Sequence, residues 1–181
     1  MITRRVSAVH RALGDAFLRL PAPVQNAHDN GGTFRLSGHA DVEVKPGWLP
    51  RLICWAVGLP RHGAHQPVSV DFFTDENGVD RWVRNFAGRM YKSTLRPGTG
   101  AHEGKLIENL GIFTTIFGVA ADTGRLTFDI ERVTALGLPL PGILSVRCHA
   151  FETGDGGAFV FDIAIDMGLT GRLIRYRGTM S

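Results

Sequence analysis

The sequence has little of what metal sites, disulfide scaffolds and membrane spans require. Its 181 residues include two cysteines, Cys54 and Cys148, and neither belongs to a Cys-x-x-Cys pair or to a Cys/His cluster. We therefore expect two free, buried thiols and no structural zinc. The longest apolar run, residues 48–59, contains an arginine and is shorter than the roughly 20 residues that cross a bilayer. With no apolar signal segment at the N-terminus, the sequence predicts a cytoplasmic protein without a membrane span.

Familiar catalytic and nucleotide-binding motifs are also absent. There is no Gly-x-Ser-x-Gly, no Gly-x4-Gly-Lys-Ser/Thr, no His-Glu-x-x-His and no Gly-x-Gly-x-x-Gly after a strand. This excludes the standard hydrolase, NTPase, zinc protease and dinucleotide-binding domains, and no cofactor is expected. Basic residues are interleaved with acidic ones and the formal net charge is only +3, so we predict no nucleic-acid surface despite a pI of 9.2.

What the sequence does have is the pattern of a mainly β (α+β) protein that forms a single domain over residues 1–181. Residues 33–45 alternate between apolar and polar side chains, and turn-forming clusters occur at residues 75–78, 122–124 and 154–157. These signals predict an antiparallel meander of about 8–10 strands. An open sheet of that size would leave two edges and an apolar face uncovered. We therefore expect the strands of residues 33–181 to curl into a lipocalin-like barrel or half-barrel.

Two helices are expected beside the sheet. Apolar residues spaced three and four apart predict an amphipathic N-terminal helix within residues 1–20. Pro21 and Pro23 should end it, followed by a polar connection over residues 25–32. Residues 48–59 are apolar on nearly every side and predict an internal helix that covers the concave face of the sheet or the mouth of a ligand site.

An arginine between two aromatic residues is the first candidate for chemistry. In the strand predicted at residues 80–86, Trp82, Arg84 and Phe86 fall on one face, and Glu108 lies in the same way between two leucines of a later strand. A buried guanidinium keeps its charge and must find acceptors. We therefore hypothesise that Arg84 and Glu108 meet inside the barrel, either as a structural ion pair or as the polar end of a ligand pocket.

Further polar residues complete the candidate set. Tyr176 shares the inner face of the last strand, so the predicted ligand-binding residues are Trp82, Arg84, Phe86, Glu108 and Tyr176. His28 and Glu108 are the candidates for acid–base catalysis. Asp71 is an alternative partner for Arg84. Three histidines, His62, His65 and His102, would bind a metal only if loops brought them together, so no metal site is assigned.

Five segments of the chain resemble the DUF4166 family, a bacterial family of unknown function. The resemblance covers nearly the whole chain and rests on residues 20–28, Trp82 to Gly88 with Ser93, Glu108 to Gly111, Leu136 to Pro141 and Tyr176 to Gly178. It implies no established activity. Some members of the family carry this domain behind an NAD(P)-binding domain similar to saccharopine dehydrogenase, which implies a possible oxidoreductase domain or protein as a partner.

Three functions are compatible with this pattern. The first is a barrel that binds a small, largely apolar ligand with an acidic or polar group, recognised by Arg84. The second is a cofactor-independent enzyme of isomerase, cyclase or hydratase type. The third is a structural or regulatory partner domain with a filled core. A cavity of a few hundred Å³ inside the barrel would favour the first two over the third.

Overall fold

A single antiparallel sheet of eleven strands makes up most of the chain. The computed structural model describes residues 6–29 and 32–181. The strands are β1 (Thr33–Val44), β2 (Gly63–Thr74), β3 (Asp80–Phe86), β4 (Arg89–Pro97), β5 (Lys105–Leu110), β6 (Phe113–Asp122), β7 (Arg125–Ala135), β8 (Leu138–Pro139), β9 (Val146–Asp155), β10 (Ala158–Met167) and β11 (Gly171–Met180).

The sheet closes on itself into a barrel. Each strand from β1 to β7 pairs with the next, β9 follows β7, and β11 pairs with β1. The two-residue β8 pairs with the last part of β7, where β9 has already separated from it. The predicted antiparallel barrel is confirmed, and the pairing of β1 with β11 distinguishes a closed barrel from a half-barrel.

Glycines allow the closing strands to approach one another. A Cβ atom on Gly38 of β1 would lie 2.0 Å from the carbonyl oxygen of Thr179, and one on Gly178 of β11 would lie 2.2 Å from that of His39. Both distances are far shorter than van der Waals contact. The seam between the first and last strands therefore depends on two positions without side chains.

Residues 80–97 form a hairpin of two strands, β3 and β4. Ala87 and Gly88 have positive φ angles of 48° and 87°, which is the geometry of a two-residue turn between twisted antiparallel strands. Residues 105–122 are divided in the same way at Gly111, whose φ is 58°.

The N-terminal region forms three short elements rather than one helix over residues 1–20. They are α1 (Ala8–Leu13), a 3-10 helix (Gly14–Arg19) and α2 (Ala22–His28). Gly14, with φ of 55°, ends α1, and Pro23 lies in the first turn of α2, where a missing N–H costs nothing. The first helical segment ends at Arg19, directly before Leu20 and Pro21, as expected, but the polar connection predicted over residues 25–32 was wrong, because α2 occupies most of it. Residues 1–5 of the predicted helix lie outside the described residues.

The helices occupy opposite ends of the barrel. At one end, which we call the capped end, α1 and α2 pack against strands on both sides of the opening. The other end, which we call the α3 end, carries α3 (Trp48–Ala56) and the connections at residues 45–62, 87–88, 111–112, 136–145 and 168–170. No helix in the described part of the chain is long and apolar enough to cross a membrane.

The internal helix α3 is shorter than the predicted 48–59 and is held by an arginine from the barrel wall. Arg89 donates hydrogen bonds to the carbonyl oxygens of Trp55 (2.6 Å), Cys54 (3.3 Å) and Gly58 (3.3 Å). These oxygens lie at the C-terminal end of the helix, where a cation complements the helix dipole. One face of α3 therefore lies over the barrel interior, as expected, while its outer face is left in solvent.

Candidate functional site

The barrel encloses a cavity of about 430 Å³. Aromatic and aliphatic side chains from most strands line it, together with Ile53, Ala56 and Val57 from α3 and its C-terminus. The lining also holds a few charged or hydroxyl-bearing residues: Arg84, Tyr91, Glu108, Thr115, Glu152 and Tyr176. An apolar cavity with a small number of convergent polar groups is the usual form of a small-molecule site, and it is not the interior of a filled-core domain.

Arg84 and Glu108 meet inside this cavity, as the alternation of their strands predicts. Arg84 Nη2 lies 3.4 Å from Glu108 Oε1, and Nη1 donates a 2.8 Å hydrogen bond to Ser93 Oγ on the intervening strand β4. Only 16% of the Arg84 side chain and 15% of the Glu108 side chain are exposed. The 3.4 Å contact is long for a hydrogen bond between charged groups, so Arg84 retains donor capacity toward the cavity.

Two aromatic rings flank the Arg84 guanidinium. Its central carbon lies 4.7 Å from the centroid of the Trp82 ring and 5.3 Å from that of Tyr91. Burial opposes the charge, but the acidic groups around it, Glu108 and Glu152 among them, outweigh burial and raise the pKa of Arg84 above its ordinary value. Arg84 is therefore a fixed, permanently charged group at an apolar surface.

Two tyrosines lie beside this cation. Burial raises the pKa of Tyr91, and it raises the pKa of Tyr176 well above the ordinary value, so both phenols stay neutral. Tyr91 Oη is buried, and its polar contact is with the side chain of Tyr176. Phe86 packs between the two rings, with centroids 6.2 Å and 5.5 Å away. Two buried tyrosines in the wall of a cavity offer hydroxyl groups for contact with a ligand.

A second polar pair lies nearer the capped end. His28, on α2, is fully buried, and its Nε2 lies 2.5 Å from Glu152 Oε2. Phe72 and Trp82 pack against the imidazole with centroid distances of 5.3 Å and 5.1 Å. Glu152 lines the cavity and His28 does not, so the carboxylate is the group of this pair that could touch a ligand. The catalytic role of His28 stays a prediction.

Behind this pair, Asp80 joins the barrel to the N-terminal helices. Its Oδ1 accepts a 2.7 Å hydrogen bond from Thr74 Oγ1, and its Oδ2 accepts a 3.0 Å hydrogen bond from the backbone N–H of Ala8. Burial raises the pKa of the Asp80 carboxyl to about 6, against smaller opposing effects of Thr74 and His28. Asp80 is therefore a structural carboxyl whose charge depends on pH near neutrality.

Several other candidate residues lie apart from the cavity. Asp71 was an alternative partner for Arg84, but it points outward and pairs with Arg35 at 2.6 Å. His62 and His65 belong to the α3 end and His102 to the opposite end, so the loops do not bring them together. The described residues contain no cluster of three His, Cys, Asp or Glu suited to a metal ion.

The cavity does not present a reactive thiol. Cys148 lies in its wall, and both cysteines are free and buried, as expected. Burial raises the pKa of Cys148 to about 12 and that of Cys54 to about 11. Both sulfurs are therefore protonated at neutral pH and are poor nucleophiles.

Two cavity residues were missed by the sequence reasoning, although the alternation rule was sufficient to find one of them. Glu152 lies on β9 in step with Cys148 and Ala150, which also face inward, so it is an inward carboxylate of the same kind as Glu108. Tyr91 was missed for a different reason: the hairpin between β3 and β4 was not recognised. Trp82, Arg84, Phe86, Glu108 and Tyr176 all line the cavity, while their role in ligand binding stays a prediction.

The fold and the cavity together define a class of protein: a closed antiparallel β-barrel in which nearly every strand pairs with its neighbour in sequence, with an internal cavity. Within that class, the chain belongs to the DUF4166 family, described as a domain of unknown function, whose model matches residues 20–180. Comparisons with curated proteins and with solved structures found no match. The resemblance of the sequence segments to this family is thereby confirmed.

Proposed function

We propose that the barrel binds one small, largely apolar molecule that carries a single acidic or polar group, and that Arg84 recognises this group. The observation that carries the proposal is an apolar cavity of about 430 Å³ with a stacked guanidinium in its wall. Its volume falls in the range of roughly 300–1,000 Å³ that is usual for small-molecule sites.

The surroundings of Arg84 favour a ligand over a purely structural ion pair. A structural pair in the barrel interior is expected to be short and bidentate, because the attraction must offset the cost of removing two charges from water. The Arg84–Glu108 contact is a single one at 3.4 Å. In addition, the hydroxyl-bearing side chains of Tyr91 and Tyr176 line the cavity beside the same guanidinium. An acidic or polar group of a ligand placed here would accept hydrogen bonds from Arg84 and from a tyrosine hydroxyl.

The first test uses 8-anilinonaphthalene-1-sulfonate as the probe, because it is apolar apart from one acidic group. We expect saturable binding of one molecule per chain, and we expect Arg84→Met to weaken it by at least about ten-fold, which is the effect of losing one charged hydrogen bond in a dry site. Fluorescence titration gives the affinity, and circular dichroism verifies that each variant is folded. If Arg84→Met is unfolded, Arg84→Lys provides the comparison, since it keeps the charge and loses the planar fork.

The matched control is Arg35→Met. Arg35 lies on the outer surface of β1 in an ion pair with Asp71, so its loss changes the net charge equally without touching the cavity. A cavity-filling variant, Ala150→Phe, should abolish binding. Equal affinities for the Arg84→Met, Arg35→Met and wild-type proteins would overturn the proposal.

The pairing of His28 with Glu152 favours one alternative, a cofactor-independent enzyme. In this alternative Glu152 exchanges a proton with the ligand and His28 holds its carboxylate in place. A carboxylate at the wall of an apolar cavity with a histidine 2.5 Å behind it is suited to isomerase, cyclase or hydratase chemistry.

Native mass spectrometry distinguishes an enzyme from a binding protein. Wild type and Glu152→Gln are purified from the same host, and the mass of any retained molecule is compared. The retained molecules are then extracted and compared by chromatography. If the protein is an isomerase, the molecules from the two proteins should differ in retention time; if it is a hydratase, they should also differ in mass by one water. The difference arises because the variant keeps the substrate, whereas the wild type keeps or releases the product. The same molecule in both proteins would support binding alone. The expectation from the main proposal is that the two are identical.

A further inference from the structure

The exposed apolar side chains are concentrated at one end of the barrel. Among the described residues, ten large hydrophobic side chains are exposed, and nine of them lie on α3 or in or beside the connections at the α3 end. The exception is Leu18 at the capped end. The nine, which we call the apolar rim, are Trp48, Leu52, Trp55, Met90, Ile112, Leu136, Leu138, Ile143 and Leu169.

The outer face of α3 is the largest part of this rim. Trp48, Leu52 and Trp55 are spaced by four and three residues, so they lie on one face of the helix. Trp48 is 76% exposed and Trp55 is 64% exposed. Tryptophan is costly to leave in water, and in proteins it concentrates at interfaces between an apolar and an aqueous phase.

The rest of the rim comes from separate connections. Leu136 is 77% exposed and Leu138 is 72% exposed, and they belong to the segment whose Leu140 and Leu144 line the cavity. Ala56 of α3 is both exposed and part of the cavity wall. The rim therefore surrounds the place where the cavity reaches the surface.

The charged residues in the connections of the α3 end are all basic. The connections at residues 45–62, 87–88, 111–112, 136–145 and 168–170 contain Lys45, Arg51 and Arg61 and no aspartate or glutamate. Arg51 and Arg61 are exposed and form no ion pair among the described residues. The nearest acid on β10, Asp166, is paired with Arg172 at 2.5 Å.

The capped end has the opposite charge in its strand connections. Those at residues 75–79, 98–104, 123–124 and 156–157 contain Asp75, Glu76 and Glu103 and no lysine or arginine. The helices of the capped end also carry Arg11 and Arg19 beside Asp15, so the opposite charge is confined to the strand connections. In the connections of the α3 end no acidic residue offsets the basic ones, which favours contact with a negatively charged surface.

We propose that the apolar rim docks onto the surface of an anionic lipid bilayer, with the tryptophans of α3 at the level of the headgroups and Arg51 and Arg61 against the lipid phosphates. Apolar and tryptophan side chains supply burial, and exposed arginines supply attraction to anionic lipid. The position of the rim around the cavity would allow an apolar ligand to pass between membrane and barrel without crossing water. The docking itself stands on the rim and its charges, and it does not require the ligand proposal.

The test is co-sedimentation of the full chain with vesicles made of 30% phosphatidylglycerol and 70% phosphatidylcholine, compared with pure phosphatidylcholine vesicles. We expect binding to the anionic vesicles that weakens when salt rises from about 0.1 M to about 0.5 M, because the screening length shortens. Arg51→Glu/Arg61→Glu should lower the affinity at least about twenty-fold, at roughly five-fold for each basic residue removed from the surface. Trp48→Ala/Trp55→Ala should lower it about ten-fold or more.

Matched controls come from elsewhere on the barrel. Arg81→Glu changes the charge on the outer wall of β3, and Leu18→Ala removes the exposed leucine of the capped end; neither should affect vesicle binding. Quenching of tryptophan fluorescence by brominated lipid should disappear in the double tryptophan variant, since the third tryptophan, Trp82, is buried in the barrel.

Three results would overturn the docking proposal. They are absence of binding to anionic vesicles, equal binding to neutral vesicles, and a rim covered by a second copy of the chain, seen as a dimer that the tryptophan variant dissociates. Variants of the apolar rim that keep full affinity for 8-anilinonaphthalene-1-sulfonate but no longer bind vesicles would support the docking proposal. Loss of probe binding in Arg84→Met bears on the ligand proposal alone, so the two proposals fail independently.

Discussion

Replacing Glu108 with leucine is expected to lower the free energy of unfolding by about 3 kcal/mol. The change leaves the Arg84 guanidinium inside an apolar cavity with the Ser93 hydroxyl as its remaining hydrogen-bond partner. Arg84 cannot lose its proton, so the protein must bear the cost of an uncompensated buried charge. Urea denaturation followed by circular dichroism measures the change.

The control for this prediction is an ion pair on the outer surface of two neighbouring strands, β1 and β2. Asp71→Leu breaks the contact with Arg35, which is 65% exposed, and solvent-exposed pairs contribute at most about 1 kcal/mol. The double variant Arg84→Met/Glu108→Leu should recover most of the stability lost in Glu108→Leu, because both charges are removed together. If Glu108→Leu costs no more than Asp71→Leu, the buried guanidinium does not depend on Glu108.

The same variant separates a ligand-binding arginine from a structural one. If Arg84 holds the acidic group of a ligand, Glu108 competes with that group for the guanidinium. Glu108→Leu should then raise the affinity for 8-anilinonaphthalene-1-sulfonate several-fold, whereas Arg84→Met lowers it. If the pair is purely structural, both variants should lower the affinity for the probe, because both loosen the packing around the cavity.

The meeting of Arg84 and Glu108 shows which part of the site alternation can predict. A side-chain period of two assigns each residue to the inner or outer face of its own strand, and this placed both residues inside. It does not say which strands are neighbours. Arg84 reaches Glu108 across β4, with Ser93 between them, because β3, β4 and β5 are consecutive in the sheet.

The turn between β3 and β4 accounts for the one missed cavity residue that alternation did not place, Tyr91. In β3 the inward residues are even-numbered, as in Trp82 and Phe86, but in β4 they are odd-numbered, as in Tyr91 and Leu95. The two-residue turn at Ala87 and Gly88 reverses the chain and shifts the parity. A single strand continued through residue 88 would have assigned Tyr91 to the outside.

The N-terminal region differed from expectation because periodicity alone does not fix where a helix ends. Val9, Phe17 and Leu20 are buried, as the amphipathic pattern required. However, a glycine with a positive φ at position 14 interrupts the helix, and the residues after the prolines form α2 instead of a loop. This helix places His28 against Glu152, which is a tertiary contact that no local pattern contains.

The burial of Asp80 links the stability of the capped end to pH. A carboxyl with a pKa of about 6 in the folded protein and an ordinary value of 3.8 in the unfolded chain binds its proton more tightly when folded. Between these values the folded state carries more protons than the unfolded state, so the stabilisation is present below about pH 4 and is lost as the pH rises through about 6. At higher pH the contribution of Asp80 to the free energy of unfolding no longer changes with pH.

Asp80→Asn is therefore expected to gain stability relative to the wild type as the pH rises. Asparagine resembles the protonated carboxyl, so the free energy of unfolding of the variant relative to the wild type should rise by about 2 kcal/mol between pH 4 and pH 7, at roughly 1.4 kcal/mol for each pH unit over which the two states differ by a full proton. Urea denaturation at several pH values gives the difference in the free energy of unfolding between the two proteins, in which effects of pH that both proteins share largely cancel. Asp122→Asn, at an exposed position on the same end of the barrel, should give a difference without this slope. A flat difference for Asp80→Asn would mean that the carboxyl is already charged at pH 4, and that its hydrogen bonds to Thr74 and Ala8 outweigh its burial.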